Sequence, residues 1–218
     1  MAWFRDRALT IVLMLCFALG LAGQVIAGHR VYNQEQREHQ QREASLGEYL
    51  ATGHPWAALF ENWESEFLQM AVFVLLTTRL VQRGSPESRR PHMRELVDAD
   101  PRDFAHLPDA PWPVKRGGWI LWLYERSLGL ALIALFLLSW VGHAIGGWRT
   151  AAADDASHGV APESFNAFLA SPRFWFESFQ NWQSEFLSIA AMVWLAVYLR
   201  QRGSPESKPV HAPHHQAD

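Results

Sequence analysis

The sequence predicts an all-α membrane protein: four transmembrane helices arranged as two parallel-repeat helical hairpins, with pseudo-twofold symmetry about the membrane normal. Three observations predict it. Apolar residues are gathered into four blocks, Ala8 to Gly28, Phe67 to Val81, Ser127 to Gly147 and Phe186 to Leu199, separated by stretches dense in Glu, Gln, Arg, Asp and Pro. The chain repeats itself internally. Its basic residues are crowded onto one side of the four blocks. Averaged over all 218 residues, 49% hydrophobic and with a formal net charge of −3, the composition resembles that of a soluble domain, so only the distribution carries the signal.

The repeat is the strongest of the three. NWESEF, Asn62 to Phe67, recurs as NWQSEF, Asn181 to Phe186, and the tryptophans of the two copies are 182 − 63 = 119 residues apart. The same offset, with no gap, carries Trp3 onto Trp122, Arg7 onto Arg126, Phe17 onto Phe136, Gly28 onto Gly147 and Trp56 onto Trp175. It also carries QRGSPES at Gln82 to Ser88 onto QRGSPES at Gln201 to Ser207. Each copy holds an even number of spans, so both enter the membrane from the same side and the repeats are parallel.

Taken in order, residues 1–90 form the first repeat, with spans at about 8–28 and 62–82 and an extracytoplasmic loop over 29–61. Arg5 and Arg7 before an apolar run also describe a secretory signal, but this block is the counterpart of an internal span and is read as retained. Residues 91–117 are a cytoplasmic linker with one short helix around Met93 to Val97. The second repeat, 118–208, has spans at about 124–147 and 181–201 around an extracytoplasmic loop over 148–180, and 209–218 is a disordered cytoplasmic tail. The bulk of the Arg and Lys residues, Arg83 to Arg102 and Lys115 to Arg126 among them, fall on the side of the termini and linker, which places these in the cytoplasm.

The fourth apolar run, Phe186 to Leu199, is too short to cross alone, so its helix must take NWQSEF into the membrane with it. Ser171-Pro172 reads as an N-cap followed by a first-turn proline, and Pro55 has a similar place in the first copy. Trp56, Trp63, Trp175 and Trp182 then form an interfacial aromatic belt. On such helices Asn62, Ser65, Glu66 and Gln69 share one face, as do Asn181, Ser184, Glu185 and Ser188. A polar stripe at this depth turns toward other helices or a water-filled cavity. The preceding helix of each repeat brings Gln24 and His143 to a similar level, each behind a glycine, Gly23 or Gly142, that would admit a close neighbour. Glu66 is therefore expected to meet Gln24, and Glu185 to meet His143. The plain reading is that these pairs lock the hairpins; the sharper one is a ligand, ion or proton site.

Other features read simply. The glycine and proline of each QRGSPES stop a helix and begin a turn. Cys16 is a small apolar membrane residue, and the His-rich tail, His211 to His215, is incidental. The outer segment from His29 to Leu50 is rich in helix formers and reads as a surface helix.

The pattern NWxSEFL, an apolar span, then QRGSPES followed by a basic residue resembles a family of small bacterial integral membrane proteins known only as a domain of unknown function. The resemblance covers nearly the full length. It implies a bacterial cytoplasmic membrane and four spans, supplies no activity, and implies glutamine at the end of both odd spans, from which His143 departs.

There is no nucleophile elbow, HExxH, CxxC or phosphate-binding loop, and no basic aromatic surface for nucleic acid. No cofactor and no metal site is expected. The leading expectation is a non-catalytic membrane module whose partners are membrane lipid and a homo-oligomer or another membrane protein. The alternative is binding or transport of a small ligand, ion or proton at Glu66 and Glu185 near the extracytoplasmic face.

Overall fold

The computed structural model describes residues 2–90 and 95–214, and the regular elements among them are all helical. In chain order they are α1 (Ala2–Arg5), α2 (Ala8–Glu38), α3 (Leu46–Ala51), α4 (His54–Thr77), α5 (Trp112–Arg116), α6 (Gly118–Glu125), α7 (Ser127–Ser157), α8 (Phe165–Leu169) and α9 (Pro172–Tyr198), with short 3₁₀ turns over Leu96–Asp98 and Pro101–Phe104. The helix expected around Met93 to Val97 falls partly outside the described residues, and its end is the first of these 3₁₀ turns.

Among the described residues two helices, α2 and α7, are long and apolar enough to cross a membrane. At 31 residues each they reach about 46 Å, beyond the roughly 30 Å of a hydrocarbon core, because each continues past its apolar block into a polar end. The first polar end is where the outer surface helix was expected: His29 to Glu38 is a continuation of α2, and only Leu46–Ala51 is separate, as α3. The bounds of α2 and α7 differ by 127 − 8 = 119 and 157 − 38 = 119 residues.

Local chemistry explains the helix starts. Ser45 accepts from the Glu48 amide while the Glu48 carboxylate accepts from the Ser45 amide, a reciprocal cap at the head of α3. At α9, Ser171 Oγ accepts from the Phe174 amide and Pro172 occupies the first turn. The helix ends lie short of the expected ones. α4 stops at Thr77 and α9 at Tyr198, well before Gly84 and Gly203, so those glycines are not helix caps. Arginines take the terminal carbonyls instead: Arg89 donates to Thr78 O, and Arg200 to the carbonyls of Ala196, Val197 and Leu199.

The chain forms two compact units, Met1–Leu59 with Gly142–Leu169, and Phe60–Val141 with Ala170–Asp218. In the first, the segments after α2 and α7 fold back on their own helices. His29 Nε2 lies 2.7 Å from Ala44 O, and Trp148 Nε1 donates to Glu163 O at 2.9 Å, both partners being 119 residues apart. Tyr49 covers Gly28 and Phe168 covers Gly147, where an added Cβ would lie 2.4 and 2.8 Å from the aromatic rings' atoms. These two aromatics are 2% and 1% exposed and form much of this unit's core. Close backbone approach occurs at Gly53 and Gly146: a Cβ on Gly53 would lie 2.4 Å from Gly146 O. At Gly23, where the sequence suggested it, nothing lies within 4 Å.

The second unit holds α4 beyond Leu59, the linker with α5 and α6, the start of α7, α9 and both QRGSPES segments. The tail expected to be disordered carries a turn after Lys208, with Ala212 buried at 8% exposure; residues 215–218, including His215, lie outside the described residues.

Candidate functional site

Within the second unit, polar side chains of α4 and α9 meet. Glu61 and Glu64 are three residues apart on α4 and so project from one side of the helix. Asn181 Nδ2 donates to Glu61 Oε1 at 2.5 Å and to Glu177 O, one turn back on its own helix, at 3.1 Å. Trp182 Nε1 donates to Glu64 Oε1 at 3.1 Å. Glu64 is fully buried, at 0% exposure. A carboxylate removed from water needs donors, and α9 provides an amide and an indole side by side. The indole is itself held in place by aromatic neighbours, with ring centroids 5.5 Å from Phe179, 6.5 Å from Trp175 and 6.2 Å from Phe136.

The residues singled out from sequence are distributed around this contact. Ser65 is buried and donates to Asn62 O; Ser184 donates to Asn181 O and Ser188 to Glu185 O, so all three hydroxyls are spent on the carbonyl three residues back. Asn62 and Glu66 are exposed, and Glu185 is half-buried. Gln24 and His143 belong to the other unit, where Gln24 is exposed and His143 fully buried. Of the aromatic belt, Trp56 donates to Leu50 O at 2.9 Å, Trp63 stacks edge-on with Phe60 at 5.6 Å, and Trp175 lies against Phe179 at 5.5 Å.

Sequence reasoning missed Glu61 and Glu64. The signal was present as a break in the repeat: 61 + 119 = 180 and 64 + 119 = 183 are both glutamines, Gln180 and Gln183. Attention to what the two copies share favoured Glu66 and Glu185, whereas the interhelical bonds form where they differ. Among the described residues no group of three or more His, Cys, Asp or Glu is arranged to hold a metal ion. The arrangement offers acceptors on one helix and neutral donors on the other, a chemistry suited to fixing helix register.

A family model described as "Domain of unknown function (DUF6766)" matches residues 1–218. The chain belongs to the DUF6766 family. No curated protein and no solved structure matches it. The DUF6766 match spans the whole chain, so both NWxSEF segments and both QRGSPES segments lie inside one family unit rather than in separate domains joined by accident.

Proposed function

We propose that this protein is a four-span, non-catalytic membrane module with both termini in the cytoplasm, acting through helix packing and contacts with lipid or a partner membrane protein. The observation that carries the reading is the surface of α2. None of its apolar stretch is buried, and Leu9 and Leu19 are each 75% exposed. An apolar face of this length is stable only against hydrocarbon or another protein. The matching bounds of α2 and α7, and the matching contacts at Gly28 with Tyr49 and Gly147 with Phe168, support two parallel repeats about an axis along the membrane normal. On this reading α4 and α9 are the second and fourth spans, and Glu61 and Glu64 of α4 serve packing, because side chains of α9 donate to them.

Reporter fusions test the topology. Fusions after Val97 and after the C-terminus should behave as cytoplasmic, and one within Glu35 to Ala44 as exported; export of the Val97 fusion would overturn four spans. A second reading rests on Glu66 and Glu185, matched positions of the two NWxSEF segments. It makes them a cation or proton site near the extracytoplasmic face. Under it, a pH- or cation-dependent change in tryptophan fluorescence should vanish in E66Q/E185Q, and an unchanged response contradicts it.

A further inference from the structure

The two QRGSPES segments close into the same loop. The Gln82 amide donates to Ser88 Oγ at 2.7 Å and the Gln201 amide to Ser207 Oγ at 2.8 Å. The Glu87 and Glu206 amides each donate to the serine hydroxyl two residues back, Ser85 and Ser204, at 3.2 Å. Gly84 and Gly203 both sit at positive φ, +89° and +86°, where a side chain would strain the turn. In each copy the arginine before that glycine, Arg83 or Arg202, is exposed, and among the described residues neither guanidinium has a hydrogen-bond or ion-pair partner. One heptapeptide thus builds the same frame twice and presents an arginine from each.

The surroundings of the two frames differ. The tail packs on the first, where a Cβ on Gly84 would lie 2.6 Å from His214 O and 3.2 Å from Val197 Cγ1. The groove beside that loop is lined by the acids Glu87, Glu95 and Asp98, and its Arg89 is paired with Asp98. The second loop instead carries a cavity of about 550 Å³, lined by Arg202, Lys208, His211, Ser204 and Gln201 among others. Among the described residues no aspartate or glutamate lines it, Glu206 of the same loop included. The face of Gly203 is open, with nothing within 4 Å. Lys208, the match of Arg89 at 208 − 89 = 119, is 3% exposed, and its Nζ donates to Pro213 O at 3.1 Å and His214 O at 2.9 Å, which fixes its charge in the cavity wall. Ser204 Oγ accepts from the Glu206 amide and keeps its own proton to donate. Where the first loop meets acids, the second gathers cations and a hydroxyl, the donor set that suits a phosphate.

We propose that the cavity at the second QRGSPES loop binds a phosphate group, with the Arg202 guanidinium and the Ser204 hydroxyl as donors and the Lys208 charge in its wall, and that the first loop, covered by the tail and lined by acids, does not. A guanidinium can hold two phosphate oxygens at once, and a phosphate monoester or diester presents them equally. The cavity follows directly on the end of α9 at Tyr198. Under the four-span reading, on which the source of the phosphate rests but the site does not, that phosphate belongs to an anionic lipid headgroup at the membrane surface. A phosphate from solution would meet the same donors.

The detergent-solubilised full chain reads both sources in a phosphate-free buffer. Inorganic phosphate is titrated by calorimetry, and phosphatidylglycerol mixed into the micelles is counted on the protein by native mass spectrometry. One saturable site is expected. Arg202→Gln should weaken it by about tenfold or more, the loss of a hydrogen bond between charged groups. Arg83→Gln, the matched change on the first loop, should leave it unchanged. Arg202→Lys keeps the charge, should lose less than Arg202→Gln, and provides the reading where the glutamine variant does not fold. Phosphatidylglycerol binding that depends on Arg202 supports the lipid source. Inorganic phosphate binding that depends on Arg202, without phosphatidylglycerol binding, supports the same site filled from solution and counts against the four-span placement of α9 alone. No saturable binding of either probe, or equal losses in Arg202→Gln and Arg83→Gln, would overturn the site.

Discussion

α4 and α9 carry the same motif and use it differently. Both present Asn-Trp-x-Ser-Glu-Phe, but α4 places acids at Glu61 and Glu64 where α9 has Gln180 and Gln183. The acids accept, and the donors they meet are the Asn181 and Trp182 that α9 shares with α4. Gln183, by contrast, is exposed and bonds the Gln180 carbonyl of its own helix. Two copies of one segment have thus become complementary partners: a mismatch of two residues per helix turns a symmetric pair into an acceptor and a donor face. The entries differ as well. α9 begins with a serine cap and a proline, while α4 begins beside Gly53, which sits against Gly146.

The comparison is broken most severely at its buried acceptor. Glu64→Ala should lower stability by about 3 kcal/mol, combining a lost core side chain with an indole left without its acceptor. The matched Gln183→Ala should stay within about 0.5 kcal/mol, as an exposed substitution does. Thermal unfolding of both in detergent reads the contrast, and equal effects would mean the two helices are equivalent after all. At the entry, Gly53→Ala should cost about 2 kcal/mol, since its Cβ would meet the Gly146 carbonyl and the Thr150 amide nitrogen, at 2.4 and 2.9 Å. Gly23→Ala, with open space around it, should be neutral or stabilising by up to about 1 kcal/mol. Making α4 resemble α9 is the mildest change: Glu61→Gln keeps an acceptor for Asn181 and should cost about 1 kcal/mol or less, through loss of the stronger charge-assisted bond.

Much of this architecture was legible in the chain, and the exceptions have physical causes. The apolar blocks and the 119-residue offset pointed to the positions of α2 and α7, because a long apolar helix is dictated by composition alone. Ser171 and Pro172 marked the start of α9, because a cap is a local interaction. The helix ends were misplaced because the capping groups are remote: Arg89 reaches back eleven residues to Thr78 O, which no local pattern announces. The close approach at Gly53 and Gly146 was missed for the same reason, since it depends on which helices meet. Glu61 and Glu64 could have been found from sequence by asking where the repeats disagree.

The acceptor and donor division is the central claim, and a double-mutant cycle on Glu64→Ala and Trp182→Phe tests it most directly. Trp182→Phe alone should cost about 2 kcal/mol by removing one hydrogen bond to a buried carboxylate. If the indole and carboxylate act on each other, the combined variant should be less unstable than the sum of the two by about 1–2 kcal/mol, the range of residues in direct contact. Losses that add to within about 0.5 kcal/mol would show that Trp182 and Glu64 are energetically separate, and would contradict the division of α4 and α9 into acceptor and donor.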